Sequence, residues 1–395
     1  MQKAVVFGLF ETGLGVIRSL GQHKIKVIGI DHKKDIAWYS KYVEPKICPH
    51  PLINEKEFLS WINSIFSGDR QKVPVFFTSD DFLICFSRNR EVLSNYFLFN
   101  LPERGLLEKI ADKYEQYLLA DKAGIDLPTT IVIRDQEKIT KDLLFNLNYP
   151  IFIKGLEVNS WREKISGTTK GYKVDDEAEF KEIANRILEK NVPIIVQEVI
   201  MGKDVNHFKY CAYVSANGEI LGEFTLKKIR QNPIHFGVGA SVESVIDEEL
   251  MVLGRKLFKS INFKGIGSAE FKRDERDKKL KLIEINPRYW QQNYLSTFCG
   301  INFPYINYCD LLGEKVKVQN KFSSGVKWIN RYMDLDSYLK YRKEGLSFFE
   351  WRKSVKGKRT YYDFIWADPI PAFYEIGFGW KLIKAPWFII KRIIK

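Results

Sequence analysis

Apolar and polar positions along the chain alternate between a period of two and a period near 3.6, and the switches between them predict a run of α/β units. Residues 3–10 read as a short buried strand, 12–15 as a glycine turn, 16–20 as the start of a helix, and 26–30 as a second strand ending at Asp31. Another apolar run, 73–78, is followed by Asp80 and Asp81. These stand at the carboxyl end of a strand, where open α/β sheets receive ligands, although either aspartate could equally cap the next helix. The helical period predicts one helix over 106–123, closed by Gly124 and Pro128, with a new domain beginning there. Strands are expected at 149–154 and 194–200, helices at 177–189 and 248–260, and a hairpin from 208–215 and 219–226 about Asn217-Gly218. From 322 onward the chain is aromatic and basic without a legible sheet pattern.

The stretch 263–289 adds chemistry to this pattern. Residues 266–273 and 280–285 read as paired strands about a charged turn, 274–279. Alternation places Glu284 and Asn286 on one face, and pairing across the hairpin can bring Glu270 to it, so two carboxylates and an amide oxygen converge. Hard oxygen donors of this kind suit Mg²⁺, with Mn²⁺ as a possible substitute. Magnesium takes only one or two protein carboxylates and completes its shell with water and substrate phosphates, which implies a bound nucleotide. Arg288, two residues past the amide, could hold a transferring phosphoryl group by a bidentate contact. A solvated hairpin whose glutamates balance nearby lysines is the plain alternative.

Charge and composition narrow the partners. The net charge of +13 favours phosphates, acidic carriers or an anionic membrane surface. The lysines and arginines are spread along the chain with no helix-turn-helix, RNP-like or zinc-finger pattern, which argues against a nucleic-acid binder. Gly8, Gly13 and Gly15 with Asp31 suggest a dinucleotide fold, but Arg18 stands where the third glycine of G-x-G-x-x-G belongs, so NAD is not favoured. Cys48, Cys85, Cys211, Cys299 and Cys309 show neither a C-x-x-C pair nor a histidine ladder, and read as reduced structural residues. The opening apolar run is too short for a secretory core, and a cytoplasmic location is expected. The tail, 380–395, mixes Trp380, Trp387 and Phe388 with five cationic residues. It would suit peripheral contact with an anionic membrane, or packing back on the catalytic domains.

The order of these pieces resembles the ATP-grasp superfamily over most of 1–314: ADK at 111–113, YPIFIKG ending at Gly155 after Lys154, VQEVIMGKD at 196–204, then AEF and EINPR. The resemblance implies an N-terminal Rossmann-like domain over 1–105, an ATP-grasp domain over 106–320 in two subdomains, 106–195 and 196–320, and an extension over 321–395. It implies that Lys113 and Lys154 contact ATP phosphates, that Gln197, Glu198 and Val199 line the adenine, and that Asp204 holds the ribose. Glu270, Glu284 and Asn286 would bind magnesium, and Arg288 would face the transferred phosphate. Ser166, Thr168 and Thr169 lie in the loop expected over the phosphates.

Within the superfamily, GLGVIRSLG, KVIGID, TSDD and KKIRQNPIHFGVGASVES look like the carboligases that include D-aspartate ligase. That likeness implies an amino acid as one substrate, a peptide or envelope precursor as the other, and Arg230 and His235 near the reacting groups. His235 could equally be a loop histidine. The expected activity is an ATP-dependent carboxylate-amine ligase that forms an amide through an acyl phosphate. A phosphotransferase acting on a hydroxyl, and a nucleotide-binding protein without turnover, are the alternatives.

Overall fold

The computed structural model describes residues 3–374 apart from 136–138, 140–147, 157–160, 162 and 166–170. Ser166, Thr168, Thr169 and the tail 380–395 therefore lie outside the described residues. Three sheets organise the rest. Strands β1 (Lys3–Phe7), β2 (Lys26–Asp31), β3 (Val43–Ile47), β4 (Val73–Phe77) and β5 (Phe97–Leu98) form a parallel sheet in the order β3-β2-β1-β4-β5. Continuous apolar runs become central strands here because helices cover both faces. Phe7 sits at the hub of one face, with the rings of Phe82 and Phe86 at 5.2 and 4.9 Å.

The second sheet is antiparallel: β6 (Thr130–Ile133), β7 (Ile151–Gly155), β8 (Tyr172–Val174) and β9 (Ile194–Glu198), in the order β6-β9-β7-β8. The helix Glu177–Leu188 covers it with Phe180, Ala184 and Ile187, all fully buried. The third sheet contains β10 (His207–Val214), β11 (Ile220–Asn232), β12 (Val238–Ser244), β13 (Gly265–Arg273), β14 (Leu280–Asn286), β15 (Lys327–Ile329) and β16 (Arg359–Tyr361). Its order is β14-β13-β10-β11-β12-β15-β16.

Three expectations change. The first helix starts at Glu11 and runs to Gly21, so Gly13 and Gly15 lie inside it rather than in a turn. Close approach explains both: a Cβ on Gly13 would stand 2.1 Å from the Gly8 carbonyl oxygen, and one on Gly15 would stand 2.5 Å from the Asn293 amide. The helix expected over 106–123 is two, Arg104–Ala111 and Lys113–Lys122, because Asp112 is extended and its side chain accepts the N–H groups of Tyr114 and Glu115. Beyond residue 322, β15 and β16 extend the seven-stranded sheet. Three-residue strands are too short to carry a readable alternation.

Arg18 explains the missing third glycine. Its guanidinium is 1% exposed and bonds the Asp368 carboxylate at 3.0 Å and the carbonyls of Tyr362, Asp363 and Asp368 at 2.8 Å. The position that would need to be small in a dinucleotide site instead fastens the C-terminal extension to the N-terminal sheet. Asp368 also accepts from Ser40 and the Lys41 N–H.

Candidate active site

A cleft of about 490 Å³ runs between the second and third sheets, bordered by Phe10 and by Glu11 and Thr12 at the start of the first helix. Register in the β13-β14 hairpin decides its chemistry: Glu270 is directly opposite Glu284, and Ser268 is opposite Asn286. Glu270, Glu284, Asn286 and Arg288 all line the cleft, as the alternation of the sequence predicted.

Glu270 is held ionised from the third sheet. Lys209 in β10 approaches it at 2.8 Å and Lys228 in β11 at 3.3 Å. Burial opposes ionisation, but these two cations and the hydrogen bond from Lys209 outweigh it and keep the carboxyl below its usual range. Asn286 donates its amide to Glu284 at 2.9 Å, which leaves its amide oxygen as a third hard donor. Among the described residues no three acidic, histidine or cysteine side chains form a ready cation cage. Two carboxylates and an amide oxygen nonetheless fit magnesium, which leaves most of its shell to water and phosphate.

Lys154 projects from β7 to the Gln197 Oε1 at 3.1 Å, with its ammonium 5.6 Å from the Tyr117 ring centre. Burial, assisted by Lys113 and opposed by Glu284, lowers it to about 7. Lys113 itself stands in a second cavity, also about 490 Å³, which meets the cleft at Glu284 and Asn286. Lys154 is among the lining residues of neither cavity, although Lys113 and Glu284 both act on its charge. Arg288 bonds Asp80 at 2.6 Å and the Tyr289 carbonyl at 3.1 Å. Asp80 does not cap its helix, Asp80–Arg88; Ser79 does, accepting the Asp81 N–H.

At the other end of the cleft, the strand edge differs from expectation. The N–H groups of Glu198 and Val199 are donated to the carbonyls of Thr129 and Pro150, both at 2.9 Å. The Glu198 side chain is buried and pairs with Arg276 at 2.7 Å, tying the β13-β14 turn to β9. The donor expected for adenine at 198–199 is therefore committed. Ile200, next along the cleft wall, has an N–H that no described residue accepts. Gln197 lines the cleft, and its amide donates to Thr130 at 2.9 Å.

Two assignments are corrected by their partners. Asp204 accepts the Gln231 side-chain amide at 2.7 Å, the Gln231 N–H at 2.9 Å and the Tyr341 hydroxyl. Both of its oxygens are engaged in joining β11 to the extension, and Asp204 is not among the residues that line the cleft. Arg230 is 4% exposed, bonds Asp334 at 2.6 and 2.8 Å and Ser354 at 2.6 Å, and does not line the cleft. It is an anchor for the helix Arg331–Tyr341. His235 does line the cleft, with its ring at 3.0 Å from Glu344 and its N–H on the Tyr341 hydroxyl at 3.2 Å.

Sequence reasoning missed His207, Lys209, Lys228 and Lys272, which line the cleft and of which the three lysines make it basic. His207 and Lys209 alternate at the start of an otherwise apolar β10, a signal that could have marked them. His207 is 8% exposed, with both ring nitrogens buried and unpartnered among the described residues. Burial, with Lys228 and Lys272 nearby, pushes it well below its ordinary value against the pull of Glu270.

A family profile described as ATP-grasp in the biosynthetic pathway with Ter operon matches residues 236–332. The D-aspartate ligase of Enterococcus faecium (strain Aus0004) is 24% identical over 275 residues, a match spanning 67% of this chain and 65% of that relative. An N5-carboxyaminoimidazole synthetase from Staphylococcus aureus superposes with a TM-score of 0.61 at 14% identity, covering 80% of this chain and 79% of that one. An L-amino acid ligase from Bacillus licheniformis gives 0.58 at 15% identity, covering 79% and 74%. The chain has the ATP-grasp fold, and its sequence resembles an ATP-grasp family over residues 236–332 and D-aspartate ligase over a longer stretch.

Proposed function

We propose that this protein is a magnesium-dependent ATP-grasp carboxylate-amine ligase that joins an amino acid to a peptide or cell-envelope precursor. The observation that carries the reading is the cross-strand pairing of Glu270 with Glu284 on a cleft that also receives Asn286 and Arg288. The resemblance to D-aspartate ligase supports an amino-acid substrate.

In this reading Glu270, Glu284 and Asn286 hold magnesium. The metal, when bound, offsets phosphate charge and polarises the transferring group. Lys154 and Lys113 neutralise the nucleotide phosphates, while Lys209 and Lys228 keep Glu270 anionic. Arg288 steadies the phosphoryl group as a substrate carboxylate oxygen takes it from ATP and ADP departs. The amine then attacks the acyl carbon, and phosphate leaves with that oxygen to give the amide. Arg230 has no part in this chemistry. The buried free cysteines support a reducing, cytoplasmic setting. Among the described residues no helix is long and apolar enough to cross a membrane.

The test supplies purified protein with ATP, magnesium and pools of amino acids and amines, and reads phosphate release together with product mass. Ligase activity predicts ADP, phosphate and an amide in equal amounts. ADP with a stable phosphorylated acceptor and no free phosphate would mark a phosphotransferase, and nucleotide binding without turnover would mark a binding protein.

A further inference from the structure

The carboxylates that line the cleft are not alike in their partners. Glu198 is paired with Arg276, Glu270 with Lys209 and Lys228, and Glu284 accepts the Asn286 amide. Glu11, at the start of the helix Glu11–Gly21, also lines the cleft, yet no other described side chain bonds it. Its own backbone N–H and the attraction of Lys33 favour its charge, but burial and the nearby Asp35 act against it, and its carboxyl lies above the usual range. Lys33 acts on it without an ion-pair contact, so this half-buried carboxylate has no directly bonded cation among the described residues, and a cationic ligand would stabilise its charge.

Its surroundings point the same way. Phe10, Thr12, Trp290, Gln291 and Gln292 line the cleft with Glu11, as do Lys209, Lys228 and Lys272, of which Lys209 and Lys228 are paired with Glu270. The Trp290 indole N–H is buried without a partner among the described residues, a donor left for an acceptor atom. Arg288 lines the same cleft as a cation, with Asp80 on its Nε and the Tyr289 carbonyl on its Nη1. A ligand that meets both groups needs a positive end and a negative end.

Resting on the ligase reading above, we propose that Glu11 pairs with the ammonium group of an amino-acid substrate whose carboxylate is activated beside Arg288. Glu11 is then a specificity residue: it touches the substrate and selects amino acids over carboxylic acids that lack nitrogen. The ammonium keeps its protons throughout, so no step beyond acyl phosphate formation is required.

The test uses the full chain with ATP, magnesium and hydroxylamine, which captures an activated carboxyl as a hydroxamate whatever the natural acceptor. Each of the common L- and D-amino acids is compared with the same acid lacking its amino group. Wild type should favour the best amino acid over its deaminated counterpart, and Glu11→Gln should lower kcat/KM for that amino acid by about 10- to 100-fold, the scale of a charge-assisted hydrogen bond, while the KM for MgATP holds. Glu11→Asp should recover part of the loss. Equal use of amino and deaminated acids by wild type overturns the inference without needing the variant, as does an unchanged preference in a folded Glu11→Gln. Absence of hydroxamate from every carboxylate in wild type overturns the ligase reading and this inference with it, and is told apart because wild type itself is inactive.

Discussion

In the proposed reading Lys154 binds phosphate charge and Glu284 holds a cation, and each role makes a separate prediction. With Lys154 lowered to about 7, much of it is neutral in the free protein at and above that pH. Phosphates favour the charged form, so nucleotide binding should take up a proton, increasingly as pH rises above 7 and until solution lysine-like values are approached. Calorimetry of ATP binding at pH 8 in buffers of different ionisation enthalpy should report this uptake, and Lys154→Met should remove it. Buffer-independent heats in wild type would contradict the assignment. Glu284→Gln should keep nucleotide binding within a few-fold but lower turnover by about 100-fold or more, since an amide is a poorer magnesium donor than a carboxylate. A near-normal rate across magnesium concentrations would remove Glu284 from the metal site. Lys154, Glu270, Glu284, Asn286 and Arg288 were legible because each interrupts or ends an apolar strand with a charge or amide. Lys209 interrupts an apolar strand and could have been marked, but its pairing with Glu270, and that of Lys228 in the next strand, depends on sheet order rather than on local sequence.

Elements that looked regular in the sequence survive where alternation is long enough to fix a face, as in the β13-β14 hairpin. They change where a single side chain bonds the backbone. Asp112 is the clearest instance: continuous helical periodicity hides a break that the aspartate stabilises by capping the helix Lys113–Lys122. Asp112→Ala should therefore destabilise the protein by about 1 kcal/mol, measured by denaturant unfolding, and an unchanged midpoint would show that the cap is dispensable. Arg230 was placed near the reacting groups by the likeness of KKIRQNPIHFGVGASVES to the carboligases, whereas its partner Asp334 is 104 positions away and invisible locally. Removing one member of this buried pair should cost about 3–5 kcal/mol. Arg230→Ala should lower the unfolding midpoint yet leave kcat for the surviving folded enzyme within a few-fold at reduced temperature. A loss of kcat in a protein of normal stability would restore a chemical role.

For the whole molecule, the extension is part of the enzyme's frame rather than an appendage. β15 and β16 complete the seven-stranded sheet, Tyr341 bonds Asp204, and Arg18 binds the segment 362–368 to the N-terminal sheet. These ties join the first helix and residues 327–368 to the sheet that carries the cleft, so the substrate and nucleotide sites proposed near Glu11 and Glu284 would rest on one packed body. What the body does is tested most directly by the fate of one oxygen atom. A carboxylate substrate labelled with ¹⁸O, supplied with ATP, magnesium and the amine, should transfer one labelled oxygen to each phosphate released per amide formed. Phosphate without label, or label retained entirely in the organic product, would contradict an acyl phosphate and with it the ligase account.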